Sequence, residues 1–331
     1  MIDFRYHLVS IIAVFLALAV GLAVGSTALT GTAEQALTAA QHRLTSQNKS
    51  LTKQNELWQH QIAGDQAFAA ANSARLLAGL LTDERVVLIA APGADSAVTT
   101  GLTSALREAG ATVTGQVSLT SAFTTTSGQN EAALSQLAQN LAGSAGLVLK
   151  PVSAGSTIAG QQDAAQVLAA GLLGGGASLT SAASQAILTG FSRGDFISVD
   201  SGAPASAPAN LAVLVTPSGQ PPQQSVSEVL MAVASELQSA GSGTVMAGSV
   251  SSIDAGSVIN AEIGAGNAVS TVDNADTEIG QIVVVQALRF LLDGKAPQAY
   301  GAEPAAAPSP GPAPAGTPAS KTSSPAPAKS H

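Results

Sequence analysis

Residues 85–109, RVVLIAAPGADSAVTTGLTSALREA, decide the fold of this 331-residue chain. The first seven of them form an unbroken β-branched and aliphatic run, which is typical of a strand buried on both faces of a sheet. Residues 92–95 predict a turn, and Asp95 is placed to cap a helix over residues 96–109. A strand, a tight turn and a helix in this order indicate a parallel sheet covered by helices.

The same alternation of strand and helix runs on to residue 292. Further strands are predicted at 111–119, 146–150, 196–199, 211–216, 244–247 and 268–272, and further helices at 131–142, 157–173, 178–193, 225–240 and 278–292. Regular alternation of this kind requires crossover connections between parallel strands. The predicted fold class is therefore α/β, a Rossmann- or flavodoxin-like, mostly parallel sheet with helices on both faces, over residues 83–301.

An apolar run precedes this domain. Residues 8–25, LVSIIAVFLALAVGLAVG, carry no charge and are long enough to cross a bilayer as one helix. Three interpretations stay open: an uncleaved signal anchor over residues 8–28, a signal peptide cleaved near the small residues 26–28, and a buried core helix. The length of the run favours the anchor, because the apolar region of a secretory signal is normally shorter.

The orientation of this segment follows from its flanking charges. Arg5 lies just before the run, and the next basic residue is Arg43. Basic residues favour the cytoplasmic side of a membrane. We therefore expect a single-pass membrane protein with residues 1–7 in the cytoplasm and the main domain outside it.

Residues 31–82 read as one long helix that forms a coiled-coil stalk. Leucine or tryptophan recurs every seven residues, the period of a coiled-coil seam, at Leu37, Leu44, Leu51 and Trp58. The companion positions are small or polar: Ala40, Gln47, Gln54 and Gln61. This pattern predicts a homo-oligomer assembled through the stalk, and the alternative is a helix that packs back onto its own domain.

The composition excludes several classes of function. The net charge of −8 argues against a nucleic-acid partner, and the absence of cysteine excludes disulfides and thiolate chemistry. The four histidines, His7, His42, His60 and His331, all lie outside the predicted α/β domain. A Ser-His-Asp site in that domain is thereby excluded, and no glycine-rich phosphate fingerprint follows a predicted strand. We expect no enzyme activity and no bound cofactor.

One turn carries a candidate metal site. Asp273, Asn274 and Asp276 lie between the last predicted strand and the last predicted helix. Their oxygen atoms are ligands that hard cations accept. Asp and Asn are also ordinary turn and helix-capping residues, so a purely structural role is the competing interpretation.

The C-terminal segment has a different composition. Half of the sixteen prolines lie within residues 303–331, among alanine and serine. Such a segment buries too little apolar surface to fold. Residues 302–331 are expected to form a disordered tail.

Two parts of the chain, one at the N-terminus and one at the end of the predicted α/β domain, carry a family resemblance. The opening DFRYHLVS at residues 3–10 with the apolar run after it, and the later STVDNAD at 270–276, Gly280–Gln281 and Tyr300–Gly301, resemble the mycobacterial copper transport protein B family of actinobacterial cell envelopes. The similarity extends over residues 1–301.

The resemblance implies a role in copper transport or efflux and copper homeostasis. It also implies an outer-membrane association and makes copper the one metal to consider. The residues themselves favour a binding or scaffold component over a conduit, since one membrane helix encloses no pore. The alternative function is a structural partner protein of cell-wall or division assemblies with no direct role in metal handling.

Overall fold

The computed structural model describes residues 4–126, 128–153, 155–173, 179–200, 208–219, 223–250, 256–302, 306–307 and 309–310. Most of the proline-rich tail therefore lies outside the described residues. Two compact units divide the chain, residues 1–65 and residues 66–331. The first unit is called the stalk unit below, and the second is called the head.

One helix, α1, runs without interruption from Phe4 to Leu77. Between Tyr6 and Asp65, nearly every described side chain is exposed to solvent. Within the head the same helix becomes buried on one face, at Ala69, Ser73 and Leu77, which follow one another at four-residue spacing. That spacing places the three side chains on one side of the helix.

The head contains a seven-stranded sheet in the order β3-β2-β1-β4-β5-β6-β7. The strands are β1 (Arg85–Ala90), β2 (Thr112–Leu119), β3 (Ile197–Val199), β4 (Leu211–Val215), β5 (Gly243–Ala247), β6 (Ser270–Val272) and β7 (Ala299–Tyr300). All neighbouring strands are parallel except β3, which pairs antiparallel with β2. This is the Rossmann strand order with an added edge strand, and the α/β prediction is confirmed.

Helices connect these strands. They are α2 (Ser96–Glu108), α3 (Ser121–Thr124), α4 (Gly128–Ala145), α5 (Ala159–Leu173), α6 (Ser181–Arg193), α7 (Gln224–Ala240), α8 (Val258–Ala265) and α9 (Glu278–Leu292). Beyond β7, Ala307 forms a parallel bridge with Tyr300, so the first described residues of the proline-rich segment lie along the edge of the sheet.

Two apolar cores cover the two faces of the sheet. One contains Phe123, Leu168 and Phe191 with residues of α7, and the other contains Leu77, Leu102 and Leu288. The central strand β4 contributes Leu214 to the first core and Val213 to the second, as the alternation of side chains along a strand requires. The unbroken apolar runs in β1 and β4 are explained by this burial on both faces.

The structure corrects one predicted strand and adds three short elements. Residues 147–150 are not a strand. The Leu147 amide donates to the Ala142 carbonyl at 2.9 Å, and the Gln166 side chain binds both the amide and the carbonyl of Lys150. These partners replace a neighbouring strand. The elements that sequence analysis missed are α3, α8 and β7, all eight residues or shorter.

Candidate functional site

The first place to examine is the crevice between β1 and β4, where the strand order reverses. Open α/β sheets bind ligands at the carboxyl ends of the strands at such a point. Here the Ser218 amide, in the loop after β4, donates at 3.0 Å to the Gly93 carbonyl, in the loop after β1. The Ala91 amide extends the pairing of the two strands by donating to the Val215 carbonyl at 2.9 Å. Backbone hydrogen bonds therefore bridge the described walls of this crevice.

The helix that begins at this crevice is capped by its own chain. The Ala97 amide donates to Oδ1 of Asp95 at 2.8 Å, which confirms the predicted N-cap of α2. A helix N-terminus binds anions through its free amides and its dipole. Since a carboxylate already occupies that position, the start of α2 is poorly suited to a phosphate group.

The turn after β6 contains the three candidate metal ligands. Asp273 is fully buried, and its Oδ1 accepts a hydrogen bond from the Ala302 amide at 2.8 Å. Gly301 lies so close to this carboxylate that a side chain at position 301 would overlap it. Asp273 therefore holds the end of β7 against the end of β6.

The other two candidates have different surroundings. Asp276 is exposed, and its Oδ1 accepts from the Val250 amide at 3.2 Å, which links the turn to the loop after β5. The Asn274 carbonyl accepts from the amide and the hydroxyl of Thr277, at 3.0 and 2.7 Å. Oδ1 of Asn274 is buried and has no hydrogen-bond partner among the described residues. A buried oxygen without a partner is an acceptor available to a ligand.

The residues that follow the turn pack against its backbone. A side chain at Gly280, in the first turn of α9, would overlap the Asn274 carbonyl oxygen. The Gln281 amide group lies 3.4 Å from the Ala275 carbonyl, and the same side chain rests against Gly101 of α2. Small residues at 101 and 280 therefore allow α2, α9 and the turn to approach closely.

Tyr300 is a buried titratable residue at the same edge of the sheet. The side chain lies in β7 and is almost completely buried. Burial raises the pKa of its phenol above the ordinary value, because the phenolate would lose its hydration. The group is one residue from Gly301, so it reports on the same sheet edge that Asp273 closes.

The described histidines all belong to the stalk unit. His7, His42 and His60 are all exposed on α1. Within the described part of the chain, no three His, Asp or Glu side chains are grouped to hold a metal ion. Glu262 is, with Asp273, one of the two buried carboxylates among the described head residues; it accepts from the Val269 amide at 2.9 Å and shapes the turn before β6.

One cavity was not anticipated from the sequence. It has a volume of about 140 Å³ and lies between the segment 147–150 and helices α5 and α7. At its rim Nζ of Lys150 and Oε2 of Glu236 form an ion pair at 3.1 Å. Lining residues from three separate segments leave no local sequence signal for such a cavity.

In the stalk unit the apolar segment of α1 is the notable feature. Tyr6–Gly25 has a mean hydropathy of 2.7, and none of it is buried within the protein. By length and composition it is able to cross a membrane as a helix. Among the described residues it is the one helix that meets this criterion.

Comparison with known proteins gives one match that covers both the stalk unit and most of the head. The family model described as "Copper transport outer membrane protein, MctB" matches residues 1–310. The chain belongs to the MctB family. The protein called copper transporter MctB in Mycobacterium tuberculosis is 29% identical over 311 residues, which is 91% of this chain and 96% of that protein. The one from Mycobacterium leprae is 30% identical over 319 residues, with the same coverage.

Membership in the MctB family makes this a protein of copper transport. The residues that carry the family resemblance now have a structural explanation. STVDNAD at 270–276 and Tyr300–Gly301 are adjacent because Asp273 binds the backbone at residue 302, and Gly280–Gln281 packs on the same turn. These three segments of the resemblance therefore contact one another inside the head.

Proposed function

We propose that this MctB family member is a single-pass, membrane-anchored envelope protein that contributes to copper transport as a binding or scaffold component. The observation that carries this proposal is the combination of one apolar helix, Tyr6–Gly25, with a closed α/β head. A single helix encloses no lumen, so conduction through this chain alone lacks a path. Copper is the cargo in this proposal, and the protein holds or presents it or organises the proteins that do.

The proposed topology places residues 1–7 in the cytoplasm and the stalk and head outside it. Arg5 on the cytoplasmic side supports this orientation. The proposed domains are an anchor at 8–28, a coiled-coil segment at 31–82, an α/β domain at 83–301 and a tail at 302–331. In this topology the head lies on the side of the inner membrane that faces the outer membrane, which fits the description of the family.

The turn at 273–276 stays the candidate metal site of the proposal. The buried Oδ1 of Asn274, which has no hydrogen-bond partner among the described residues, supports it, and the exposed Asp276 follows two residues later in the same turn. Asp273 is the weaker candidate, since its carboxylate already binds the Ala302 amide. Oxygen ligands suit Cu(II) better than Cu(I), which prefers thiolate and thioether ligands.

We also propose that the head is not catalytic. Among the described residues, backbone hydrogen bonds bridge the crevice between β1 and β4, and a carboxylate caps α2 where a phosphate group would bind. The sequence places no histidine between residues 61 and 330 to act as a general base. These features support a head without catalytic activity.

A purely structural role in cell-wall or division assemblies is the second candidate function. The exposed apolar side chains along α1 favour it, because they offer a surface for proteins and none for a metal ion. In that case any copper phenotype would arise through an envelope partner.

The test is a titration of the full chain in detergent or nanodiscs with Cu(II) and with Cu(I), with the mass of the particle measured on the same sample. We expect stoichiometric Cu(II) binding that is lost in Asp276→Ala and Asn274→Ala and kept in Asp163→Ala, a matched control on α5. Absence of binding by the wild-type chain, with normal copper tolerance of cells lacking the gene, contradicts the copper-binding role and favours the structural one.

A further inference from the structure

A column of large apolar side chains lies exposed along the stalk unit. Leu37, Leu44, Leu51 and Trp58 are 59–69% exposed and recur every seven residues on α1. These four residues are called the ridge. Exposed leucines at this spacing lie on one face of a helix that coils around a partner, and the described residues of the stalk unit provide no cover for them.

The sequence around the ridge nearly repeats itself. Residues 44–50, LTSQNKS, and residues 51–57, LTKQNEL, share leucine, threonine, glutamine and asparagine at the same places. The glutamines Gln47 and Gln54 lie on one flank of the ridge, and the asparagines Asn48 and Asn55 lie on the other. Both flanks of the apolar column are therefore made of carboxamides.

Carboxamide flanks suit a partner that has the same flanks. An amide group donates and accepts, so Gln and Asn pair with their own kind without any charge. Oδ1 of Asn55 accepts from Nε2 of Gln59 at 2.7 Å, which leaves the amide protons of Asn55 for another chain. Lys49, Lys53 and Glu56, the charged residues within 44–57, fall on the opposite face of the helix and provide no ionic recognition for a foreign partner at this part of the ridge.

We infer that the ridge binds the ridge of a second copy of this chain, in a parallel and in-register pair whose register is set by membrane insertion. The inference rests on the anchor of the proposed function and on no copper chemistry. Two anchors inserted with the same orientation make the stalks parallel. They also confine both copies to one plane, which raises their effective concentration.

The side chains alone do not fix the register, because the two similar heptads tolerate a slip of seven residues. Such a slip moves one helix by about 10.5 Å along the other. Since the hydrocarbon core is about 30 Å thick, that shift would draw about a third of one anchor out of the bilayer. The membrane therefore selects the in-register pair, and the polar flanks keep the pair weak outside a membrane.

The absence of cysteine from the chain makes the test clean. Full-length chains with one substitution each, Leu37→Cys, Leu44→Cys or Leu51→Cys, are placed in lipid vesicles and oxidised with diamide, which avoids copper. A parallel, in-register pair gives disulfide dimers at all three ridge positions, because equivalent residues meet across the seam. Ser46→Cys and Lys53→Cys on the opposite face are the controls and should stay monomeric.

A second arm tests the register. Chains with Leu44→Cys and chains with Leu51→Cys, distinguished by size tags, are mixed in one membrane. We expect each to cross-link with its own kind and at least tenfold less with the other in vesicles, with the difference reduced in detergent. Equal mixed and like cross-linking in vesicles overturns the role of the membrane in setting the register.

The remaining outcomes decide the pairing itself. Cross-linking at one ridge position only indicates an antiparallel contact, and equal cross-linking at Ser46→Cys and at the ridge indicates random collision; each overturns the inference. A photoreactive group at position 51 can be cross-linked in native cells. If it captures a different protein and no second copy of this chain, the ridge binds that protein and the inference is overturned. Two chains inserted in the opposite orientation would give the same cross-linking pattern at the ridge. Failure of the proposed topology or of copper binding is therefore distinguishable from failure of the pairing.

Discussion

Leu51 and Leu77 belong to one helix and have opposite surroundings. Leu51, in the stalk unit, is 64% exposed, whereas Leu77, in the head, has no exposed surface. Leu51 belongs to a series of exposed residues spaced seven apart. Leu77 belongs to a series of buried residues spaced four apart, with Ala69 and Ser73. Helix formation along α1 therefore follows from the local sequence, whereas the stabilisation of each part of the helix depends on the residues that cover it.

Truncation of each leucine to alanine tests this difference most directly. Leu77→Ala should lower the free energy of unfolding of the head by about 3 kcal/mol, because it removes buried methyl groups and leaves a cavity. Leu51→Ala should leave the head unchanged and reduce ridge cross-linking. Hydrogen exchange of head amides, measured by mass spectrometry on the full chain, separates the two. Equal destabilisation of the head by both variants would contradict the division.

Glycine gives the next contrast. Gly280→Ala should destabilise the head by about 2 kcal/mol, because the added methyl group overlaps the Asn274 carbonyl oxygen and the backbone must shift. Gly64→Ala in the stalk unit meets no atom within 4 Å and should stabilise its helix slightly. Denaturant unfolding followed by circular dichroism measures both. A neutral Gly280→Ala would show that the turn is not tightly packed.

Alkaline pH should act on the head through Tyr300. The unfolded phenol ionises near pH 10, whereas burial raises the pKa of the folded one, so the folded state keeps a proton that the unfolded state loses. Stability is then fully present below about pH 10 and falls by at most about 1.4 kcal/mol per pH unit above it. Tyr300→Phe should flatten this fall. Tyr6→Phe, the control at the other tyrosine, should retain it.

The smallest expected effect concerns the start of α2. Asp95→Ala should cost the head about 1 kcal/mol, since the Ala97 amide loses its acceptor. Asp95→Asn keeps an oxygen acceptor and should cost much less. Thermal unfolding of the three chains is the measurement. Equal loss in both variants would mean that the charge at the helix terminus, and not the hydrogen bond, stabilises α2.

Sequence reasoning succeeded where the signal is local. Helix α9 was predicted at 278–292 and has those bounds, because Thr277 caps its start and an apolar face runs through it. The strand predicted at 146–150 is wrong, because an apolar run of five residues does not reveal whether a neighbouring strand exists. The strand β7 was missed because two residues carry no periodicity.

The candidate site shows the same limit. The sequence located the turn at 273–276 by its polar residues, which is a local property. That the Asp273 carboxylate binds the amide of Ala302, and that Val250 binds Asp276, depends on how β5, β6 and β7 lie side by side. Neither contact leaves a trace in the spacing of residues, so the ligand and structural interpretations of the turn looked alike.

By itself, the sequence determined the apolar run of residues 8–25, the seven-residue ridge and the alternation of strand and helix, because each is a pattern within one segment. Only the tertiary structure decided that the crevice between β1 and β4 is bridged and that Asp273 is buried against the end of β7. The physical reason is that these contacts join segments far apart along the chain, and they exist only after the sheet has brought those segments together.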